Sequence, residues 1–213
     1  MNNYRPISIL NTFSEIFEII IREHVSHHFW SKFNSRHHGV IKSKSTSNNH
    51  VVYFYFITPL VHPQFHDDHI YFHFSNSFYL VSHTLLLRKL DDFGLSPTDV
   101  TRFHSYLTNR ISHVRYRGAL PTSYYVLSAV SLGSIPGPLL FIIFINDLCS
   151  AVKYSNWLLL ADDVKINREK KIPPYDSWFL QSDTNNVRVR CIANYIRLNV
   201  KKTGVISLCR KTN

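Results

Sequence analysis

Two adjacent carboxylates, Asp162 and Asp163, are the residues of this chain whose type and spacing point most directly to chemistry. They follow the apolar run 157–161 and precede the sequence Val164-Lys165-Ile166. A carboxylate is costly to bury unless it is paired or holds a metal ion. The pattern predicts a strand, a tight acidic turn and a return strand, with one carboxylate at a sheet edge aimed at a cleft, where it would bind metal. The alternative is a solvated acidic turn between two ordinary strands.

Composition limits the classes of partner. The chain has 213 residues, enough for one large domain or two small lobes, and its net charge of +10 favours a polyanion, most commonly nucleic acid. A merely basic domain without such a partner is the alternative.

Three cysteines without zinc spacing indicate a reducing compartment. We see no signal peptide and no apolar run long enough for a bilayer, so we expect an intracellular protein, in cytoplasm or nucleus, without a membrane partner.

The periodicity of apolar residues predicts helices and strands without strict βαβ alternation, which indicates an α+β fold with a mainly antiparallel sheet. In the first helix, which Asn11 or Thr12 is expected to cap, one face carries Phe13, Ile16, Phe17, Ile20 and Ile21. Ser96, followed by Pro97, is the expected cap of the helix at 97–109. The second helix has an aromatic run at 53–56 that leaves strand as an alternative. Predicted helices cover 11–30, 47–58, 82–93, 97–109, 138–148 and 179–196. Predicted strands cover 69–74, 111–117, 123–130, the two arms around the acidic pair, and 204–208.

The elements that would position the acidic pair carry short motifs in a fixed order, at 4–10, 39–46, 74–83, 105–110, 133–148, 161–163 and 198–203. Each motif alone is a weak signal, but their ordered series resembles the reverse transcriptase domain of non-LTR retrotransposons of the LINE type, jockey-like elements especially. The resemblance covers nearly the whole chain. It implies a right-hand polymerase-like palm, an antiparallel sheet packed on helices, with partial fingers and a missing thumb. The expected division is fingers at 1–68, with further finger elements at roughly 95–125, and palm at 69–213.

The activity that the resemblance implies is RNA-directed DNA polymerisation, with an RNA template and a DNA primer as partners; no protein partner can be inferred. Family members use two Mg²⁺ ions held by carboxylates. By resemblance, Asp162 is the main metal ligand and Asp163 its neighbour. The expected nucleotide-binding residues are Arg5 at the triphosphate, Phe78 under the sugar, Gly133 in the second palm motif, and Lys202 at the pyrophosphate.

The first palm motif departs from the family pattern. His73 stands where the family has its catalytic Asp, and Tyr79 stands at a later Asp position. In the implied fold, His73 faces Asp162 across adjacent strands. A neutral imidazole brings no negative charge and prefers softer metals than Mg²⁺. Asp68 cannot substitute, because five strand residues place it roughly 16 Å away. The sequence therefore predicts a degenerate, catalytically inactive copy. A non-catalytic RNA- or DNA-binding remnant and a relic without a selected role remain the alternatives.

Four histidines, His62, His66, His69 and His73, form a run that contains two aspartates. Imidazole is a common ligand of zinc, so a new Zn²⁺ or Mn²⁺ site is one interpretation. Sequence drift at positions that once held other residues is the alternative.

Overall fold

The computed structural model describes residues 8–41, 43–58, 66–113, 118, 123–131, 133–171 and 173–209. Its helices are α1 (Thr12–Phe29), α2 (Thr46–Ile57), α3 (His83–Asp92), α4 (Pro97–Leu107), α5 (Gly137–Ile145) and α6 (Pro173–Ala193). Its strands are β1 (His37–His38), β2 (His66–Ser75), β3 (Ile111–Ser112), β4 (Tyr124–Tyr125), β5 (Asn156–Leu160), β6 (Asp163–Glu169), β7 (Arg197–Leu198) and β8 (Gly204–Cys209).

The chain divides into two compact units, one formed by 1–32 and 78–144, the other by 33–77 and 145–213. The first unit contains α1, α3, α4, most of α5 and the short β3–β4 pair; the second contains α2, α6 and the remaining strands. The assignment of fingers to 1–68 and palm to 69–213 stays a prediction.

A buried carboxylate organises the first unit. Glu18 of α1 is 2% exposed; its two oxygens accept hydrogen bonds from the Tyr106 hydroxyl (2.7 Å) and the Ile135 N–H (2.9 Å). Burial is the main cause that raises the pKa of Tyr106 to about 12, so the phenol stays a donor. Accepting two hydrogen bonds compensates the carboxylate for its loss of water.

Helix α1 therefore does not bury the face that its sequence predicts. Asn11 caps the helix by accepting from the Ser14 N–H, as expected. Its buried residues include Glu18, Val25 and Phe29, whereas Phe13 is 85% exposed. Ile16, Phe17 and Ile20 are also exposed, so the predicted apolar face points mostly to solvent. The burial of Glu18 with its two partners fixes this rotation of the helix.

The second unit is built on a six-stranded sheet. Its order is β1-β5-β6-β2-β7, and β8 also pairs with β2. Only β1 with β5 is parallel; the other pairs are antiparallel. The prediction of an α+β fold with a mainly antiparallel sheet packed on helices is confirmed.

Strand β2 separates two chemically different faces of this sheet. One face is apolar: Ile70, Phe72 and Phe74 are buried there, with Val164 and Ile166 of β6 on the same side. The other face of the β2–β6 ladder is polar. It pairs Asp67 with Glu169, His69 with Asn167, Tyr71 with Lys165 and His73 with Asp163.

Helix α2 covers part of the polar face with Tyr53. The Tyr53 hydroxyl lies 3.2 Å from Nδ1 of His69 and hydrogen-bonds the Tyr71 hydroxyl. His69 Nε2 lies 3.3 Å from Asp67, and the same carboxylate oxygen accepts from the Asn167 side chain at 2.8 Å. The hydrogen bonds of Tyr53 and Asn167 compensate part of the burial of these polar groups, whereas His69 Nε2 and Asp67 Oδ1 have no hydrogen-bond partner among the described residues.

Strand β8 lies at an edge of the sheet. Of the described residues, only β2 pairs with it. Val205 is 65% exposed and Ile206 is 47% exposed, so neither face of this strand is covered.

The observed bounds of several helices and strands differ from the predicted ones. The aromatic run 53–56 is helical; the Ser45 side chain caps α2 by accepting from the Asn48 N–H. β2 begins three residues before the predicted strand because Asp67 and Asp68 have partners, Asp68 pairing with Lys170 (2.5 Å). The strands predicted at 111–117 and 123–130 are two residues each, and 114–117 lie outside the described residues. The helix predicted through 148 ends at Ile145 and continues as a 3-10 helix, Asn146–Ala151.

One buried carboxylate fixes α6 to the segment that leads into β5. Asp183 is fully buried and accepts hydrogen bonds from the backbone N–H groups of Lys153, Tyr154 and Ser155 at 2.7–2.9 Å. The anchor positions the start of the strand that carries the acidic pair.

We predict that Asp183→Ala lowers the free energy of unfolding by about 3 kcal/mol or more, because it leaves three backbone donors without an acceptor. Urea denaturation measures the change. Asp92→Ala, at an exposed position on α3, is the control and should change stability by less than about 0.5 kcal/mol. Equal effects of the two substitutions would contradict the anchoring role.

Candidate active site

The acidic pair lies on the predicted hairpin. β5 and β6 pair antiparallel, with Leu160 opposite Asp163, so that Ala161 and Asp162 form a two-residue loop. Ala161 has a φ of 51°. Two-residue loops of this kind usually place glycine where φ is positive, and an alanine there is strained.

Strand β1 and the residue after it hold the loop. The Ala161 N–H donates to the His38 carbonyl at 3.2 Å. Gly39 has a φ of +110°, and a Cβ on it would lie 3.3 Å from the Ala161 nitrogen. His37 of β1 is fully buried; burial lowers its pKa to about 4, so the ring is neutral at pH 7. The strained turn is therefore buttressed by backbone from another strand.

Asp162 is held by a serine. The Ser77 hydroxyl donates to Oδ2 of Asp162 at 2.9 Å, and Ser77 is 5% exposed. Ser77 opens the 3-10 helix Ser77–Leu80 that follows β2. This hydrogen bond orients the Asp162 carboxylate, but a serine brings no second carboxylate to the site.

His73 lies opposite Asp163. We expected His73 to face Asp162 across adjacent strands, but the β2–β6 register pairs it with Asp163, because the loop takes up Asp162. The expectation about Asp162 was therefore wrong by one residue. Both side chains line a pocket of about 170 Å³. Its lining is Tyr71, Phe72, His73, Asp163, Val164, Lys165 and Lys202.

The turn that carries Lys202 is attached to the same strand. The Asn199 N–H donates to the His73 carbonyl at 2.7 Å, and the Lys202 N–H donates to the Asn199 carbonyl at 3.0 Å. Lys202 is exposed at the rim of the pocket. The structure thus brings Lys202 together with His73 and Asp163.

Burial and nearby charges shift the pKa values of two groups in the pocket, Asp163 and Lys165. Burial raises the pKa of Asp163, and the neighbouring Asp162 charge raises it further, whereas His73, Lys165 and Lys202 oppose the shift. Burial lowers the pKa of Lys165, partly offset by Asp163. The Lys165 ammonium lies 4.8 Å from the centre of the Tyr53 ring and 5.8 Å from that of Tyr71, at cation–π distances.

The residues present do not fit a pair of Mg²⁺ ions. In the part of the chain that the structure describes, no three His, Cys, Asp or Glu residues are placed to hold a metal. By the resemblance, His73 stands where the family has a carboxylate. The Mg²⁺ expected from the resemblance therefore has an incomplete set of ligands here.

The state of His73 adds a second obstacle to metal binding. Its Nδ1 is buried and lacks a hydrogen-bond partner among the described residues. A metal-bound histidine normally donates its second ring N–H to an acceptor. His73 Nδ1 has no such acceptor among the described residues.

The histidine run does not form a metal site either. His69 lies beside Asp67 and Tyr53, on the same face as His73 but four residues away along β2. His66 alternates to the other face. His62 lies outside the described residues, and those that are described bring no three such ligands together.

The remaining predicted site residues lie in the first unit or outside the described residues. Phe78 stacks on Phe141, with ring centres 4.4 Å apart. Gly133 is exposed with a φ of 100°, in the loop before α5. Arg5 lies outside the described residues. Sequence reasoning missed Ser77 and Lys165; the alternation of β6 could have indicated Lys165, which lies two residues from Asp163 on the same face.

Comparison with protein families gives a match. The family described as reverse transcriptase (RNA-dependent DNA polymerase) matches residues 1–212. The chain belongs to the reverse transcriptase family. The match does not separate the LINE type from other reverse transcriptases. Comparison with curated protein sequences gives no match.

Solved structures of telomerase have a similar fold. Apo telomerase from Candida tropicalis, truncated from its C-terminal domain, has a TM-score of 0.64 and 11% identity, over 94% of this chain and 42% of that one. Telomerase from Candida albicans, in complex with a fragment of telomeric RNA, has a TM-score of 0.62 and 14% identity, over 93% of this chain and 35% of that one. Such identities show the fold alone, and this reverse transcriptase chain spans less than half the length of either structure. None of its described helices has the length and hydropathy of a membrane span.

We predict that Gly39→Ala destabilises the protein by about 1–3 kcal/mol, because alanine disfavours its positive φ and the new Cβ would crowd the Ala161 backbone. Urea unfolding measures the change. The control is Gly204→Ala, where an added Cβ meets nothing within 4 Å. The buttressing of the acidic turn would be refuted by equal stabilities of the two variants.

Proposed function

We propose that this protein is a catalytically inactive reverse transcriptase domain derived from a non-LTR retrotransposon of the LINE, jockey-like type. The order of its motifs supports the origin. The pairing of His73 with Asp163 is the single observation that supports the loss of polymerase activity.

The physical reason is the charge and denticity of the ligand at position 73. Two Mg²⁺ ions bring four positive charges close together, and carboxylates that bridge them offset that charge. Imidazole offers one nitrogen and no negative charge. Nδ1 of His73 has, among the described residues, no acceptor of the kind that normally orients a metal-bound histidine. Asp162 and Asp163 remain, but the acid that would complete the set is lost.

We predict no primer extension above background by the unmodified chain with an RNA template, a DNA primer and Mg²⁺. His73→Asp should raise Mg²⁺ affinity in calorimetry by about tenfold or more, since it returns a charged ligand beside Asp163. The matched control is Ser75→Asp, which adds an acid to the same face of β2 but opposite Arg197. Mg²⁺-dependent extension by the unmodified chain would refute the proposal.

A second candidate function, non-catalytic binding of RNA or DNA, is favoured by the segment after α6. Tyr195 is 69% exposed there, with Arg197, Lys201 and Lys202 exposed in the following residues. Basic side chains that neutralise phosphates, with an aromatic ring on which a base can stack, are typical of single-strand binding surfaces. The net charge of +10 supports the same partner class.

We predict that single-stranded RNA or DNA binds with an affinity that falls steeply with salt, because neutralised phosphates release counterions. Replacing Arg197 and Lys201 with glutamine should reduce the slope of log K against log [salt] by about 2. Arg188→Gln, an exposed change on α6, is the control. Binding that is independent of salt, or no binding, would favour a relic without a selected role.

A further inference from the structure

Helix α6 carries two stripes of side chains on opposite faces. One stripe packs into its own unit, where Leu180, Val187 and Cys191 are buried. The other stripe points to solvent and contains two aromatic residues, Tyr175 and Trp178, which are 65% and 61% exposed. A helix with a second, exposed apolar stripe has a surface on which another helix can pack.

The exposed stripe repeats every seven residues. Val189 and Ile192, which are 64% and 61% exposed, form its C-terminal end, and the uncharged polar residues Ser182 and Asn185 form its centre. Steps of three and four residues alternate along the whole stripe, as they do in the seam between two packed helices. The members in chain order are Tyr175, Trp178, Ser182, Asn185, Val189 and Ile192.

The stripe is complementary to itself. When a second copy of α6 lies antiparallel, one register about a two-fold axis places an aromatic side chain opposite an aliphatic one at each end and a polar pair at the centre. The Asn185 side-chain oxygen accepts a hydrogen bond from Gln181 at 3.2 Å, so the NH₂ group of Asn185 is the donor that meets the Ser182 hydroxyl of the second copy. The pairs in this register are Tyr175 with Ile192, Trp178 with Val189, and Ser182 with Asn185.

The charge of the stripe distinguishes a protein partner from a polyanion. All its members are uncharged, whereas a nucleic-acid strand or an anionic lipid surface is held by cations along the contact. Arg188 flanks the stripe, and in the antiparallel register it lies beside the neutral Gln181 of the second copy. Two copies can therefore meet at α6 without pairing Arg188 with another cation, although each chain has a net charge of +10.

Contacts within the second unit hold the aromatic end of the stripe in place. The Trp178 ring packs edge-on against Phe179, with ring centres 5.2 Å apart, and its centre lies 6.5 Å from that of Tyr154. The Arg168 guanidinium covers the Phe179 ring at 4.6 Å and pairs with Asp176 at 2.7 Å. Side chains that are fixed in this way lose less conformational entropy on association.

We propose that α6 is the interface of a two-fold symmetric dimer of this chain, in which the exposed stripes of two copies pack antiparallel. The four apolar side chains of each stripe together expose, over two copies, on the order of 1,000 Å². With the flanking polar side chains, this area reaches the lower end of the range for specific interfaces. Because the area is small, we expect a dissociation constant of about 10–100 µM. The dimer does not depend on the proposed loss of polymerase activity.

The test is sedimentation velocity of the full chain at concentrations from about 2 to 200 µM, a range that brackets the expected dissociation constant. The unmodified chain should pass from monomer to dimer. Trp178→Lys and Val189→Glu should each weaken dimerisation by about thirtyfold or more, because each places a charge in a desolvated contact twice in the dimer. Val51→Glu is the matched control: it makes the same change at a residue that is 68% exposed on α2, and it should leave the dimer unchanged.

A mixture of the two variants tests the register. In the antiparallel pairing, position 178 of one copy meets position 189 of the other, so Trp178→Lys mixed with Val189→Glu should regain a heterodimer through one ion pair and one native contact. Thermal melting of each variant verifies folding. Ile192→Glu, at the other end of the stripe from the aromatic contacts, replaces Trp178→Lys if that variant unfolds.

Three results would overturn the inference. A chain that stays monomeric throughout the range would assign the stripe to a different partner. A dimer that the α6 variants leave unchanged would place the interface on another surface, and a mixture that does not associate would exclude the antiparallel register. None of these results bears on the proposed function, which is judged by primer extension with Mg²⁺.

Discussion

The register between β2 and β6 is the constraint on which the rest of the second unit depends. It pairs His73 with Asp163, and the same ladder pairs Asp67 with Glu169 at its other end. A slip of one residue would turn every side chain of β2 to the opposite face, which would move Phe72 to the polar face and His73 into the apolar core. β8 pairs with the other edge of β2 and fixes the strand from both sides.

The polar face of the β2–β6 ladder contributes both to the stability of the sheet and to the pocket beside Asp163. His69, Tyr53 and Asn167 satisfy most of the polar groups beneath α2, and the same tyrosine holds Lys165 at the pocket. A buried polar network stiffens the structure when each of its groups has a hydrogen-bond partner. Each group without a partner lowers the stability of the folded state. Asp67 Oδ1 has no partner among the described residues, so its desolvation is only partly compensated.

Sequence reasoning predicted the parts of this fold that follow from local pattern. Ser96, with proline after it, starts α4 as predicted, and the acidic pair lies on a hairpin. The rotation of α1 could not be predicted, because a buried Glu18 contradicts the apolar pattern and depends on Tyr106, 88 residues away. The motif order predicted that Lys202 lies near His73. The pairing of His73 with Asp163, and not with Asp162, could not be predicted, because it depends on the length of the loop. Lys165 was missed because its role depends on α2, which comes from a distant part of the sequence.

The open edge of β8 has a consequence for the protein as a solution species. Its outer backbone groups are unpaired among the described residues, and Val205 and Ile206 are exposed beside them. Such an edge is a template for a strand from a second molecule. Lys201 and Lys202, in the turn that precedes the strand, place positive charge at one end of this edge. Salt that screens this charge would weaken a repulsion that opposes the growth of intermolecular sheets.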